Sequence, residues 1–322
     1  MAWHPALERA LQIARHFHGD DAEQARTRLL RLLDDRARAA DGFTGSLLTM
    51  SGFPVEIAFS TADDALRYTI DPALPGSDPR GGVDAALVQL AALGAAPVPA
   101  STVDAVRRLQ AGHPLRFGAY VGGRHRAGQC RAKLYFEVPK DAAVDADAFA
   151  ADVIGRPKSL PDKRQHVELI GVDPDSQRTE FYSRIEGMIA PDLVALLARV
   201  NLASRYRELV ELLGECCVVP IWRELPGDLY GFSYSVSARG EPTAFTLYTH
   251  ARALFGGDGR ARARILELGL RHGWDLRFYA QLTEPLAALD DPTTHHTMFG
   301  ITVHGDAELG ATFGVAPPPE PA

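Results

Sequence analysis

The sequence predicts an α+β fold in which a ten-stranded antiparallel β-barrel sits inside a ring of α-helices. Three observations carry that expectation. A hairpin of strand, short polar turn and strand recurs five times, with turns centred near residues 62, 127, 175, 240 and 306. Helical segments separate the hairpins. The second strands, ALRYTID, CRAKLYFEV, QRTEFYSRI, AFTLYTH and GATFGVA, place charged or aromatic residues at alternate positions. A repeat of roughly 50 to 65 residues signals a repeated architecture, and closure removes the open edges of a sheet. Ten strands leave a lumen wider than side chains alone fill. An open α+β sandwich with its charged face in solvent is the alternative.

The elements follow in order. Residues 5–40 show helical spacing (Leu7, Leu11, Leu29, Leu33), broken near Gly19-Asp20-Asp21. The first hairpin joins FPVEIAFS to ALRYTID, and the Pro/Gly-rich stretch 72–82 ends it. Short helices are expected over Val83–Leu93 and Thr102–Ala111, the second capped by Ser101. The second hairpin joins LRFGAYVGG to RAKLYFEV, and a helix over Ala142–Val153 follows. The third joins HVELIGVD to RTEFYSRI, ahead of one long helix from about Pro191 to Leu213. After the fourth hairpin, residues 251–289 hold two helices, and the fifth joins HTMFGITVH to LGATFGVA. Residues 1–316 are expected to form one domain, with 1–42 a helical segment packed on it. Residues 317–322 are too rich in proline for a helix or a central strand and read as a frayed tail.

Composition narrows the function. The 322 residues carry a net charge of -7, which argues against a nucleic-acid surface. An acidic chain that places Arg and Lys in strands turns its positive charge inward. Successive strand residues face opposite sides, so Arg131, Lys133 and Tyr135 share one face, as do Arg178, Tyr182 and Arg184. Copied around a barrel, that face makes a basic, aromatic-walled cavity. The N-terminal stretch is amphipathic and charged, without the apolar run of a signal peptide or a span, so a cytoplasmic protein away from membranes is expected. Three cysteines, Cys130, Cys216 and Cys217, have no framework or zinc spacing and read as buried, unpaired thiols.

Several segments resemble the aromatic prenyltransferases of the dimethylallyltryptophan-synthase type. Pro54-Val55-Glu56-Ile57-Ala58 with Leu66-Arg67-Tyr68 and Ile70-Asp71-Pro72 resembles that family's first hairpin. Lys133-Leu134-Tyr135-Phe136 resembles its Lys-x-Tyr-Phe strand, and Ile170-Gly171-Val172-Asp173 with Arg178-Thr179-Glu180-Phe181-Tyr182 its third hairpin. Thr246-Leu247-Tyr248 stands where Lys or Gln, x, Tyr is expected. Each motif is short; their order and spacing over residues 45–315 carry the likeness.

The resemblance implies the PT-barrel (ABBA) fold and transfer of a dimethylallyl group from dimethylallyl diphosphate to an indole or other electron-rich aromatic acceptor, with release of pyrophosphate. It implies diphosphate binding by Arg67, Lys133 and Arg178, to which the shared face adds Arg131. It implies a carbocation shield of Tyr135, Tyr182 and Tyr248, with Phe313 as a fourth member lacking the hydroxyl. Glu56 is the implied acceptor of the indole N–H or phenolic proton; its residue-level alternative is a salt bridge to Arg67. No cofactor and no metal are expected, since Arg and Lys do a metal's work and the pairs Asp20-Asp21, Asp34-Asp35, Asp63-Asp64 and Asp290-Asp291 lack a DDxxD pattern. Gly122-Gly123-Arg124 lacks the spacing of a phosphate loop.

Departures from the pattern accompany these matches. Glu180 stands for a lysine, Thr246 for Lys or Gln, and Ala311 and Phe313 for a polar-x-Tyr pair. His250, His296 and His304 sit at strand positions that reach a lumen. Two other readings stay open: prenylation of a peptide side chain, as in the cyanobactin-type barrels, and a non-catalytic barrel that binds a small aromatic or anionic ligand. Either a monomer or a homodimer fits.

Overall fold

The computed structural model describes residues 3–319 apart from 155–159, 161–162, 218–219, 227–228, 290–294 and 306. Ten strands close into one antiparallel barrel: β1 (Val55–Ser60), β2 (Leu66–Ile70), β3 (Ala119–Arg126), β4 (Gln129–Glu137), β5 (Gln165–Asp173), β6 (Arg178–Glu186), β7 (Leu229–Val236), β8 (Pro242–His250), β9 (His296–Val303) and β10 (Gly310–Val315). Each strand pairs with its sequence neighbours, and β1 pairs with β10 to close the ring. The expected barrel is therefore the observed one, and the open sandwich is not.

Eleven α-helices among the described residues surround it. They are α1 (Pro5–His18), α2 (Asp20–Leu32), α3 (Asp34–Arg38), α4 (Gly82–Ala92), α5 (Ala100–Gln110), α6 (Ala143–Ile154), α7 (Asp192–Ala198), α8 (Tyr206–Cys217), α9 (Ala251–Phe255), α10 (Asp258–His272) and α11 (Arg277–Leu282). The core lies between helices and barrel. Leu7, Leu29 and Ala86 from the helices meet Val55, Ile70, Val121 and Leu134 from the strands on one side. Leu193, Leu209 and Ile265 meet Phe232, Leu247 and Ile301 on the other. Because the outward face is the apolar one, the inward face is free to be polar. No described helix is long and apolar enough to cross a membrane.

Five expectations need correction. The long helix after the third hairpin is broken into α7 and α8, because Asn201 takes a left-handed φ of 60° that a helix cannot continue. Helix α5 starts at Ala100, one residue before the expected cap, with Pro99 at the N-cap. Residues 251–289 hold three α-helices rather than two, since Gly256, at φ 82°, ends α9. The proline-rich end is not frayed from 317: Pro317 and Pro318 are buried, after the Ala316 N–H donates to the His295 carbonyl at 2.8 Å. The cysteines are unpaired as expected, but only Cys216 is fully buried.

Two buried carboxylates tie the loops to the strand ends. Asp71 receives the Arg36 guanidinium at 3.0 Å and the Ser46 hydroxyl at 2.7 Å, which fastens α3 and the following loop beside β2. Glu137, at the foot of β4, accepts the backbone N–H groups of Arg116, Phe117 and Gly118 at 3.0, 2.8 and 2.8 Å, fixing the chain's entry into β3. Removing that acceptor strands three amides. Glu137→Ala should lower stability by about 3 kcal/mol with an unchanged denaturant slope, and Glu137→Gln by less. Urea denaturation of the three proteins checks this.

Candidate active site

Strand register decides what enters the lumen. All five hairpin turns lie at one end of the barrel, and inward residues run from that end toward the other. On β4 the inward series is Arg131, Lys133, Tyr135, and on β6 it is Arg178, Glu180, Tyr182, Arg184. On β8 it is Thr246, Tyr248, His250, and on β1 and β2 it includes Glu56 and Arg67. The expected residues on these strands therefore share one cavity. The large ones fit because glycines stand opposite: a Cβ at Gly231 would lie 2.2 Å from the Tyr248 ring, and one at Gly171 would lie 2.8 Å from the Lys133 side chain. Neither position tolerates a side chain without moving its neighbour.

Phe313 is the exception. It is buried on the outer face, stacked on Phe59 at 5.3 Å and edge-on to Tyr279 at 5.0 Å. The β10 residues that face inward are Thr312 and Gly314, paired with Gly300 and Ala58. Phe313 is thus core packing and cannot belong to a shield, and Ala311 shares its outward side. His296 is likewise outside the lumen, buried between Asp258 at 2.7 Å and Tyr279 at 2.8 Å. His304 lies just past the end of β9, and only His250 lines the cavity.

At the turn end, cations gather on one wall. Arg67 and Arg124 share the carboxylate of Asp63 at 2.6 and 3.0 Å. Burial alone would raise the Asp63 carboxyl, but the Arg67 and Arg124 guanidinium groups hold it at about 2. Glu56 therefore does not serve as the partner of Arg67. Arg124 pairs in register with Arg131, and Arg178 has a buried Nε without a hydrogen-bond partner. Arg124 escaped the sequence reading, although it stands as far before the turn as Arg131 stands after it.

Next comes a network in which Lys133 is tied to Glu180. The Lys133 ammonium contacts the Glu180 carboxylate and donates to the Tyr182 hydroxyl at 2.9 Å, and that hydroxyl donates to Glu180 at 2.5 Å. Ser235 donates to the other Glu180 oxygen. Burial disfavours the charge on Glu180, yet Lys133 and Arg178 outweigh it and hold the carboxyl well below its ordinary value. The ammonium also lies 4.8 Å from the centre of the Tyr135 ring and 5.3 Å from that of Tyr182. Tyr135, Tyr182 and Tyr248 form a row with centroids 6.0 Å apart at each step. Burial, with Glu180 nearby, pushes the Tyr182 hydroxyl well above its ordinary value, so it stays protonated.

Glu56 stands apart from these cations. It accepts a hydrogen bond from Thr297, and burial pushes its carboxyl up from 4.5 to about 7, the Thr297 contact offsetting part of the rise. Thr297 reaches inward because the β9–β10 register shifts between Phe313 and Val315, so an extra residue is accommodated. A Cβ at Gly314 would collide with Glu56 at 2.3 Å. Beside Thr297, Met298 lines a cavity of about 230 Å³ with Leu169, Tyr182, Tyr248, Arg184 and Glu168. Arg184 contacts Glu168 at 3.3 Å, and a second register shift, between Val167 and Leu169, admits Glu168. No sequence pattern marks Thr297 or Glu168, since both arrive through irregularities.

Chemically, this lumen has a basic end suited to a polyanion, an aromatic middle suited to a cation, and a proton acceptor beside a small cavity. The Glu56 environment is directly measurable. Its carboxyl should titrate near 7, and Thr297→Val should raise the midpoint further, because the lost hydrogen bond favoured the charged form. Carboxyl-carbon NMR on wild type, Thr297→Val and Glu56→Gln checks both; a wild-type midpoint near 4.5 would mean the group is solvated.

Neither a family model nor a curated protein sequence matches the chain. Solved structures do. The apo form of the prenyltransferase PriB superposes with a TM-score of 0.75 at 19% identity, covering 97% of this chain and 94% of that one. The 5-dimethylallyltryptophan synthase from Streptomyces coelicolor gives 0.71 at 17%, covering 97% and 95%. A 6-dimethylallyltryptophan synthase from Micromonospora olivasterospora, in complex with DMASPP and Trp, gives 0.70 at 18%, covering 97% and 96%. The chain has the PT-barrel fold of the aromatic prenyltransferases.

Proposed function

We propose that this barrel is an aromatic prenyltransferase that moves a dimethylallyl group from dimethylallyl diphosphate to an indole-type acceptor. The observation that carries the reading is the lumen sequence of Arg67, Arg124, Arg131, Lys133 and Arg178, then the tyrosine row, then Glu56. The names of the structural neighbours, tryptophan prenyltransferases at under 25% identity, agree with it.

In this reading the allylic C–O bond breaks, and the electron pair leaves with pyrophosphate. Fixed cations hold that anion more tightly as its charge grows, and Arg and Lys supply the charge without a metal. Tyr135, Tyr182 and Tyr248 face the allyl cation, stabilising it through their ring quadrupoles and keeping water away. As the aromatic ring attacks and forms the new C–C bond, its indole N–H or phenolic proton passes to a base; loss of the proton on the alkylated carbon and return of one to the heteroatom restore the ring. Glu56 is that base: at about 7 it is ionised often enough to accept, and more basic than an ordinary carboxylate. The same reading places the enzyme in the cytoplasm. A non-catalytic barrel is the second reading, favoured by the neutralisation of Lys133 by Glu180; release of pyrophosphate separates the two.

Incubation with dimethylallyl, geranyl and farnesyl diphosphates against a panel of aromatic acceptors, read by mass, should give product with the shortest donor, in chelator. Loss of activity in chelator and its return with magnesium would overturn the metal-free site. Arg67→Ala and Lys133→Ala should each fold and weaken donor use strongly.

Glu56→Gln should slow transfer by about 10²-fold or more in single turnover while donor binding changes little. Because the base form exists above the midpoint, the wild-type transfer rate should climb with pH through about 7, and that limb should vanish in the variant. An unchanged pH profile in Glu56→Gln would remove Glu56 from the proton step.

A further inference from the structure

Glu180 lies directly on Lys133, a lumen cation that also contacts the tyrosine row. Three donors converge on it: the Lys133 ammonium, the Tyr182 hydroxyl at 2.5 Å and the Ser235 hydroxyl. Lys133 is not held by Glu180 alone. It also donates to the Tyr182 oxygen at 2.9 Å and lies over the Tyr135 and Tyr182 rings. The ammonium therefore has a seat that survives loss of the carboxylate. Close by, Arg178 carries a buried Nε with no hydrogen-bond partner, although Glu180 lies near enough to feel its charge.

Any polyanion entering this end meets Arg178 with donors to spare, and meets Lys133 already occupied. We infer that Glu180 is an internal competitor for Lys133, set against the diphosphate of the donor and of the pyrophosphate product. This rests on the prenyl-diphosphate reading above and adds a residue that sets affinity rather than chemistry. With Glu180 in place, each anion gains Lys133 only by displacing a carboxylate, and after transfer Glu180 returns to Lys133 as pyrophosphate departs. With Lys133 unpaired, a polyanion would leave this end more slowly. Glu180 trades affinity for release, and it makes no contact with the reacting carbon in this scheme.

The test uses inorganic pyrophosphate as the probe, by calorimetry at one ionic strength, on the full chain. Glu180→Gln keeps the shape and removes the charge, so it should bind pyrophosphate about tenfold or more tightly than wild type. In steady state the donor KM should fall while kcat falls or stays level, as release slows. A merely structural role for Glu180 would weaken binding and move KM upward instead.

Binding to Glu180→Gln that equals or trails wild type overturns the competitor while leaving the donor site intact. Pyrophosphate binding to neither protein overturns the donor site itself, and the competitor with it. Should Glu180→Gln fail to fold, Glu180→Asp decides. Its carboxylate, drawn back by one methylene, should loosen its hold on Lys133 and tighten pyrophosphate; unchanged or weaker binding by that variant overturns the inference.

Discussion

Closure of the ring by β1 against β10 is the constraint on which the rest depends. In a closed antiparallel sheet every backbone group has a partner, and each strand residue is committed to the helical layer or the lumen. The apolar half of each strand packs under the helices, which leaves the polar half facing inward with nowhere else to go. Glycines on β5 and β7 then make room for long side chains on β4 and β8. A Cβ at Gly171 or Gly231 would occupy space now held by Lys133 or Tyr248. The site is thus a consequence of packing: bulk on one strand is matched by its absence on the next.

The lumen is electrically lopsided. Arg67, Arg124, Arg131, Lys133 and Arg178 all come from β2 to β6. Across from them, β7 to β10 supply Ser233, Ser235, Thr246, Gly300, Thr302 and Thr312, with Thr246 and Thr302 bonded to each other at 3.0 Å. An anion is drawn to one wall, while hydroxyls and glycines leave the other free of charge. That division accounts for the departure at Thr246: the second half of the lumen carries hydroxyls and glycines, and the first half holds the cations.

Most of the architecture was legible because its signal is short-range. Turn chemistry and alternation on β4, β6 and β8 assign faces unambiguously, so Lys133, Tyr135, Arg178, Tyr182 and Tyr248 were all placed on the correct side. The β10 sequence GATFGV alternates nothing of the kind: glycine, alanine and threonine fit either face. A likeness in spacing then put Phe313 inward, where packing against Phe59, Phe299 and Tyr279 holds it outward. Thr297 and Glu168 were illegible for a different reason, since register shifts displace them and no periodic pattern announces a shift. The break between α7 and α8 turns on Asn201, whose left-handed backbone a run of apolar spacing conceals. The tie between Lys133 and Glu180 needed three dimensions, because 47 residues separate the partners.

Two carboxylates of the same lumen end at opposite extremes, and the difference lies in their neighbours rather than in their depth. Burial opposes the charge on both. Glu56 has only a hydroxyl to offset it, so its proton affinity rises into the neutral range. Glu180 has Lys133 against it and Arg178 nearby, so its proton affinity collapses. A carboxylate that holds a proton poorly is a weak base however well it is placed, while one near 7 suits proton transfer at neutral pH. Glu180 therefore cannot stand in for Glu56 while Lys133 remains beside it, and Glu56 cannot act as counter-ion to cations it does not touch. Environment has divided one residue type into a base and an anion, and that division depends on which strand face and which register each glutamate was given.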